Sequence, residues 1–134
     1  MTLAVIIDSN ILIAIERQQL KAADVFAADF EPILPAIVYA EVLTGIEKDL
    51  NLKRAKINRQ LLEDFKSICN FSSFGEAEAR ALAQLRGELN RIGQQRGKYD
   101  LMIAATARTH NAEILSHDRA ARFADIPGIR VREI

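Results

Sequence analysis

Short apolar runs and longer amphipathic stretches alternate along the chain. The run Leu3–Ile7 is continuously apolar and contains β-branched residues, which is typical of a strand buried on both faces of a parallel sheet. Longer stretches repeat their apolar residues at helical spacing, with Pro and Gly at the junctions. The pattern predicts strands over Leu3–Ile7, Pro32–Pro35, Cys69–Phe74, Glu113–Ser116 and Ile129–Val131, and helices over Ile11–Ile15, Leu20–Phe30, Ala36–Leu50, Leu52–Ile68, Gly75–Gln95, Tyr99–His110 and Asp118–Ala124.

This alternation predicts an α/β fold, with a mostly parallel central sheet of about five strands and helices on both faces. A length of 134 residues and a hydrophobic fraction of 49% suit one domain over residues 1–134. The single cysteine, Cys69, has no partner for a disulfide, so a cytoplasmic location is expected. The first apolar run is too short for a signal peptide or a membrane span, so no membrane partner is expected.

Two acidic residues are predicted at one edge of the sheet. Most acids, such as Glu47 and Asp49, are expected on solvated helix faces. Asp8 instead ends the first strand, and Asp118 follows the strand Glu113–Ser116. Ligands of open parallel sheets bind beyond the carboxyl ends of the strands, where both acids would lie. The alternative for each is a helix N-cap without further function.

Two further acids are expected on inward helix faces. Glu41 has Ile37 as a helical neighbour, and burying it alone costs free energy unless it is paired or binds a metal. The alternatives are a Glu41 side chain that reaches solvent or one that bonds to Thr44. Asp100 has Ile103 on its face of the helix, and the alternative is a first-turn aspartate favoured by the helix dipole.

A cluster of these four carboxylates would need positive charge, because carboxylates in one cleft repel one another. All-oxygen ligands select hard cations, so Mg²⁺ is the predicted cofactor, with Mn²⁺ as its substitute. Magnesium with open coordination positions activates water and stabilises the leaving oxygen of a phosphodiester. The pattern therefore predicts metal-dependent phosphoryl chemistry and leaves open whether one ion or two take part.

At these residues the chain resembles the PIN-domain family, and within it the VapC-type ribonuclease toxins of prokaryotic toxin–antitoxin pairs. The resemblance covers nearly the whole chain, in blocks that occur in the family's order. The blocks are Val5–Leu12, Ala40–Gly45, Arg91–Gly93 with Asp100–Ala107, and Ile114–Asp118 with Pro127–Ile129.

The resemblance implies roles for individual residues. The metal-binding and catalytic acids it implies are Asp8, Glu41, Asp100 and, at a more variable position, Asp118. The polar residues expected to support the site are Ser9, Asn10, Thr44 and Ser116. The chain departs from the family near Asp118, because many relatives carry an Asp three residues later, where this chain has Ala121. Asp118 therefore either ligates the metal or orders a water.

The resemblance also implies an activity and partners. The activity is endonucleolytic cleavage of RNA, often of a tRNA or rRNA loop, by a homodimer. The protein partner is a small cognate antitoxin that blocks the acids with a basic side chain, since carboxylates are a natural receptor for Arg. An amphipathic antitoxin segment would fit a groove between the N-terminal helices.

Basic residues flank the proposed acids along the chain, although the formal net charge of zero excludes a broadly basic surface. Those predicted to contact the RNA backbone are Arg91, Arg96, Lys98 and Arg119. Tyr99 either stacks on a base or packs against the protein. A second basic group is interpreted as a solvated helix face and comprises Lys53, Arg54, Lys56 and Arg59.

Two other classes of protein compete with the ribonuclease interpretation. A haloacid-dehalogenase-like phosphatase also places an Asp after its first strand, but it needs a second Asp two residues later, where this chain has Asn10. A non-catalytic PIN module that only holds a partner has no positive support, because all four acids are present.

Overall fold

The fold is known from a computed structural model that describes residues 2–117, 123 and 125–134. Within these residues there are five strands and six helices, and two helices follow each of the first three strands. The strands are β1 (Ala4–Ile7), β2 (Glu31–Pro35), β3 (Asn70–Ser72), β4 (Glu113–Ser116) and β5 (Val131–Glu133). The helices are α1 (Ser9–Glu16), α2 (Ala22–Val25), α3 (Ala36–Glu47), α4 (Leu52–Ile68), α5 (Glu76–Arg91) and α6 (Lys98–His110).

The strands form one sheet in the order β3-β2-β1-β4-β5, and each of its pairings is parallel. The predicted α/β fold is confirmed, and the sheet is parallel throughout the described strands rather than mostly parallel. The chain places β2 and β3 on one side of β1 and then crosses over to build β4 and β5 on the other side. The strand order therefore reverses between β1 and β4, and such a switch point opens a crevice at the carboxyl ends of the two strands.

Both faces of the central strand are covered. Successive residues of β1 point to opposite faces, and Val5, Ile6 and Ile7 are all fully buried. Ile114 of β4 lies beside Ile6 in the sheet and is also fully buried. Each such side chain stabilises the fold by roughly 1.5–3 kcal/mol. The carboxyl ends of β1 and β4 therefore rest on a well-packed core, which holds the residues that follow them in place.

The helices divide into two packed groups. Helices α1, α3 and α4 pack on one another, while α5 packs along α6 and α6 contacts β1. Helices α3 and α6 also touch each other. Helix α3 therefore contacts both α1 and α6, so it links the helices that carry the predicted acids or follow them.

The prediction of a helix over Leu20–Phe30 was wrong in length. Helix α2 covers only Ala22–Val25, with no side-chain cap at its N-terminus and with Val25 as its buried residue. The apolar residues beyond it pack from the loop instead, since the Phe26 ring lies 6.1 Å from that of Phe30 and 5.8 Å from that of Phe65. Aromatic packing without helical backbone thus accounts for the apolar pattern there.

The last strand lies two residues later than predicted, at Val131–Glu133 instead of Ile129–Val131. Gly128 has a positive φ of 76°, and Ile129 N–H donates to the carbonyl of Ile126. The turn that starts at Pro127 therefore continues through Ile129, and pairing with β4 begins at Val131. The predicted helix over Asp118–Ala124 falls largely outside the described residues.

In the part of the chain that the structure describes, no helix combines the length and the apolar character needed to cross a membrane.

Candidate active site

Asp8 lies at the carboxyl end of β1, beside the switch point of the sheet. It is 2% exposed, and its Oδ1 accepts a hydrogen bond of 2.8 Å from Ser9 N–H. Its Oδ2 accepts a hydrogen bond of 3.2 Å from Ser116 Oγ at the end of β4. Asp8 is thus the N-cap of α1, as one of the two sequence interpretations held. The bonds from Ser9 and Ser116 occupy one acceptor position on each oxygen, and a carboxylate has about four such positions.

The pKa of the Asp8 carboxyl is raised above its ordinary value. Burial is the largest cause, and the hydrogen bonds from Ser9 N–H and the Ser116 hydroxyl oppose it. The negative charges of Glu41 and Asp100 raise the pKa further. Asp8 therefore lies within electrostatic range of both Glu41 and Asp100, which come from distant parts of the chain.

Glu41 is connected to this edge of the sheet through Ser9. The Ser9 hydroxyl donates a hydrogen bond of 3.0 Å to Glu41 Oε2, which joins the start of α1 to the middle of α3. Glu41 is half-buried, and Val42 next to it is buried. Asp100 is also half-buried and lies in the first turn of α6.

Asn10 fixes the end of β4 with its side-chain amide. Its Nδ2 donates to Ser116 Oγ over 3.2 Å and to the carbonyl of His117 over 2.6 Å. Its Oδ1 accepts from His117 N–H over 3.2 Å. The hydroxyl of Ser116 therefore accepts from Asn10 and donates to Asp8, and this polar chain holds the Asp8 carboxylate against the edge of the sheet.

The donor set at this edge is suited to a hard divalent cation. Carboxylate and hydroxyl oxygens are the ligand type that Mg²⁺ and Mn²⁺ prefer. A cation would neutralise the negative charges of Glu41 and Asp100, which add to the larger effect of burial in raising the pKa of Asp8. Within residues 2–117, 123 and 125–134, no three His, Cys, Asp or Glu side chains are drawn together closely enough to count as a metal site. The three acids therefore fit a metal by the chemistry of their oxygens, and their side chains would have to draw closer together to bind one.

The remaining predicted site residues are placed differently. The Thr44 hydroxyl is exposed and donates to the Ala40 carbonyl over 2.7 Å, so it does not bond to Glu41. Arg96 Nη2 lies 3.3 Å from Asp125 Oδ2, which engages it in an ion pair. Both remaining basic residues that fall in the described part, Arg91 and Lys98, are exposed. Asp118 and Arg119 lie outside the described residues.

A groove of about 590 Å³ runs from Glu41 between α1, α3 and α4. Burial raises the pKa of Glu16 on one of its walls, and the nearby Arg17 charge opposes that shift. Its lining residues are Ile13, Glu16, Arg17, Glu41, Val42, Gly45, Ile46, Asp49, Arg54 and Asn58.

Sequence reasoning missed two of these groove residues. Asp49 was expected on a solvated helix face but lies in the loop before α4, whereas Arg54 is on an exposed helix face as predicted. Both line the groove and form an ion pair of 2.6 Å with each other. Hydrogen bonds from Arg54 and from Asn51 N–H lower the pKa of the Asp49 carboxyl to about 2. The signal available in the sequence was Asn51, a capping residue type that starts α4 and so leaves Asp49 in the loop before this helix.

The chain is similar to known proteins over nearly its whole length. The sequence profile described as PIN domain matches residues 5–129. A ribonuclease VapC from Rickettsia bellii is 32% identical over 129 residues, which are 96% of this chain and 95% of that protein. A tRNA(fMet)-specific endonuclease VapC from Salmonella typhimurium is 31% identical over 100 residues, covering 75% of this chain and 73% of that protein.

A solved structure of DNA-bound VapBC from Salmonella typhimurium matches with a TM-score of 0.80 and 25% identity, over 98% of each chain. The chain belongs to the PIN-domain family. Because its similarity to VapC proteins extends over nearly its whole length, it is placed with the VapC-type members of that family. The family and the fold predicted from the sequence are thereby confirmed, while the roles of individual site residues stay predictions.

Proposed function

We propose that this chain is a magnesium-dependent endoribonuclease, the toxin of a toxin–antitoxin pair. The observation that carries the proposal is the link of Asp8 and Glu41 through Ser9 at the switch point of a PIN-domain sheet, with Asp100 also close enough to raise the pKa of Asp8. The names of the relatives support the enzyme class, since they are a ribonuclease VapC and a tRNA-specific endonuclease VapC. A tRNA loop is accordingly the substrate we expect, with an rRNA loop as the alternative.

In this proposal Asp8, Glu41 and Asp100 hold the metal, and Asp118 is a fourth ligand or orders a water. A bound Mg²⁺ supplies activation of water and neutralisation of charge on the phosphate. The protein's own contribution is to fix the ligands before substrate arrives. Ser9 and Ser116 hold the two oxygens of Asp8 through hydrogen bonds of 2.8 and 3.2 Å.

Binding of the RNA backbone has to overcome the negative charge of these acids. Lys98 is exposed two residues before Asp100 and is the best placed of the basic residues for a phosphate contact. Arg91 is exposed at the end of α5. Arg96 contributes less, because its guanidinium is engaged with Asp125. Arg119 directly follows Asp118 in the sequence, and for that reason we include it among the residues that contact the RNA backbone.

We further propose that the groove beside Glu41 receives an antitoxin segment. Ile13, Val42 and Ile46 give it an apolar floor, and Glu41 at its end offers a carboxylate to a basic side chain. The surface continues past Arg54 to the exposed Ile57, which gives room for more than one turn of a helix. The match to a VapBC structure supports a protein partner.

We also propose that the protein works as a homodimer in the cytoplasm, as the family resemblance implies. Cys69 is the single cysteine of the sequence, and burial raises the pKa of its thiol to about 11, which makes the thiol poorly reactive. The phosphatase alternative gains nothing from the site, because Asn10 holds β4 in place at the position where a second Asp would be needed.

The test is cleavage of RNA by antitoxin-free protein with and without Mg²⁺. Wild type is expected to cleave total RNA or tRNA with Mg²⁺ or Mn²⁺ and to be inactive in EDTA. Asp8→Asn and Asp100→Asn are expected to be inactive under both conditions while they keep the circular dichroism spectrum of wild type. Metal-independent cleavage, or cleavage retained by both variants, would contradict the proposal. Hydrolysis of a small phosphomonoester alone would favour the phosphatase instead.

A further inference from the structure

A second, smaller cavity lies against Glu41 on the side of α6. It has a volume of about 230 Å³ and is lined by Ile37, Ala40, Glu41, Thr44 and Tyr99. Cavities that enclose a whole small-molecule ligand usually measure about 300–1,000 Å³. The size of this one is therefore suited to a single planar group attached to something larger.

Tyr99 forms one wall of this cavity and is not part of the core. Its side chain is 56% exposed, and within the described residues its ring meets no other aromatic ring. The other tyrosine differs on both points. The Tyr39 hydroxyl donates to Glu63 over 2.6 Å, and its ring packs edge-on against Phe71 with a centroid distance of 5.6 Å. Packing therefore accounts for Tyr39 but not for Tyr99.

The position of Tyr99 connects the cavity to the acids. It directly precedes Asp100, and Glu41 contributes to the cavity while its Oε2 accepts a hydrogen bond from Ser9. A phosphate held at these carboxylates through a metal would place an attached nucleotide beside Tyr99. The exposed Lys98 in the same turn adds positive charge for the neighbouring backbone.

We propose that this cavity is a nucleobase subsite, in which the Tyr99 ring stacks on a base next to the scissile phosphate. The inference rests on the proposed ribonuclease function and specifies how its substrate is held. Ile37 and Ala40 complete an apolar lining, and stacking on an aromatic ring accepts every base because each has a π-face. Tyr99 thus positions the strand without selecting its sequence.

Ring resonances of tyrosine test the subsite without any cleavage. The chain has two tyrosines and no tryptophan, so ¹³C-tyrosine labelling gives two sets of ring signals, which Tyr39→Phe assigns. Adenosine 5′-monophosphate, added with Mg²⁺, is expected to shift the Tyr99 ring protons upfield and to leave Tyr39 unmoved. Ribose 5-phosphate, which lacks the base, is the matched probe and should leave both unchanged. An unmoved Tyr99, or equal shifts with ribose 5-phosphate, would overturn the inference.

Cleavage kinetics give the second test. Loss of one base–aromatic stack should raise KM of Tyr99→Ala for RNA by roughly 5- to 150-fold with little change in kcat. Tyr99→Phe keeps the ring and should restore KM to within about twofold of wild type. Tyr39→Ala removes the other tyrosine and should leave KM unchanged. A Tyr99→Ala variant with wild-type KM, or one in which kcat alone falls, contradicts stacking.

The competing role for an exposed tyrosine is a contact between protein chains, and sedimentation velocity separates the two. The subsite predicts the same oligomeric state for Tyr99→Ala and wild type, whereas dissociation of the variant would overturn it. Failure of the inference is also distinct from failure of the proposed function. If wild type cleaves, Asp8→Asn does not and Tyr99→Ala matches wild type, only the subsite is wrong. If wild type does not cleave RNA, the proposed function itself is wrong.

Discussion

Ser116 Oγ, at the end of β4, donates a hydrogen bond of 3.2 Å to Oδ2 of Asp8, at the end of β1. The two residues are 108 positions apart in the chain but belong to neighbouring parallel strands. The same hydroxyl accepts a hydrogen bond from Asn10 Nδ2, so it links the Asn10 side chain in α1 to the Asp8 carboxylate. Because ligands of a metal have to be held in place by their own neighbours, this bond makes Ser116 the support on which the proposed metal site depends most.

Ser116→Ala should therefore weaken both stability and cleavage. The hydroxyl is fully buried, and its removal leaves a buried carboxylate oxygen with one hydrogen bond fewer, at a cost of about 1–3 kcal/mol. Loss of a residue that orients a metal ligand typically lowers activity about 10- to 100-fold. Urea unfolding and RNA cleavage rates measure the two effects. Ser67→Ala is the matched control, because the exposed Ser67 hydroxyl bonds only within its own helix, and it should change neither. Equal behaviour of the two variants would show that Ser116 supports nothing at the site.

Asp8→Asn should abolish cleavage and still stabilise the metal-free protein. An Asn side chain keeps an oxygen that accepts from Ser9 N–H, so the cap of α1 is retained, and its amide can donate to Ser116 Oγ in place of the bond that Asp8 accepts. Activity should fall by at least about 100-fold, beyond the loss caused by mutating residues that merely orient a ligand. In EDTA at neutral pH the variant should melt above wild type, because it removes a buried charge that lies near Glu41 and Asp100.

The stability of Asp8→Asn relative to wild type should increase as pH rises. The pKa of Asp8 in the folded protein is raised above the ordinary value near 3.8, so the folded state holds its proton more tightly than the unfolded state. Wild type loses stability relative to Asp8→Asn as pH rises from the ordinary carboxyl range through the raised pKa, and the difference is constant above it. Thermal melts in EDTA between pH 3 and pH 8, a range chosen to span that titration, measure it. A difference that shrinks as pH rises would contradict the assigned environment of Asp8.

Divalent metal should raise the melting temperature of wild type. At a concentration about 100 times Kd, a bound ligand stabilises the folded state by about 2.7 kcal/mol. For a domain of this size that amounts to a shift of several degrees. Asp8→Asn should lose the shift, whereas Asp29→Asn, which changes an exposed acid in a loop, should keep it. An equal shift in both variants would mean that the metal binds elsewhere.

Gly45→Leu should obstruct the groove between α1, α3 and α4. A Cβ built on Gly45 meets nothing within 4 Å, so a side chain there enters open space without disturbing the protein. Overpacking an interface costs about 1–3 kcal/mol, which corresponds to roughly 5- to 150-fold weaker binding of the proposed cognate antitoxin. Isothermal titration with that protein measures the affinity.

Two glycine variants control for the change in helix propensity. Gly45→Ala adds only a methyl group in the groove, and Gly87→Ala adds one on α5, away from it. Both should raise helix stability by about 0.5–1 kcal/mol and leave the affinity nearly unchanged. If Gly45→Leu binds the partner as tightly as these two variants do, the antitoxin segment does not occupy the groove.

The fold was predictable because local patterns determine it. The continuous apolar run of β1 required burial on both faces, and the acid that ends it could be placed at the sheet edge from topology alone. The two interpretations of Asp8 were not exclusive, since capping uses only part of its acceptor capacity. The patterns failed where apolar residues pack from loops, as Phe26 and Phe30 do.

The details of the site were not predictable in the same way. The bonds from Ser9 to Glu41 and from Asn10 to His117 span 32 and 107 residues, and no spacing along the chain indicates them. Asp49 was expected on a solvated helix face, but α3 ends before it at Glu47. The structure places Asp49 in the loop between α3 and α4, where it lines the groove.

The central claim is that Asp8, Glu41 and Asp100 together seat a divalent cation. A crystal of the protein soaked in Mn²⁺, measured at a wavelength where manganese scatters anomalously, tests it most directly. We predict one or two anomalous peaks at coordination distance from the carboxylate oxygens of all three residues, about 2.0–2.3 Å. A fully soaked crystal without a peak at this edge of the sheet, or with Glu41 and Asp100 turned away from Asp8, would contradict the account.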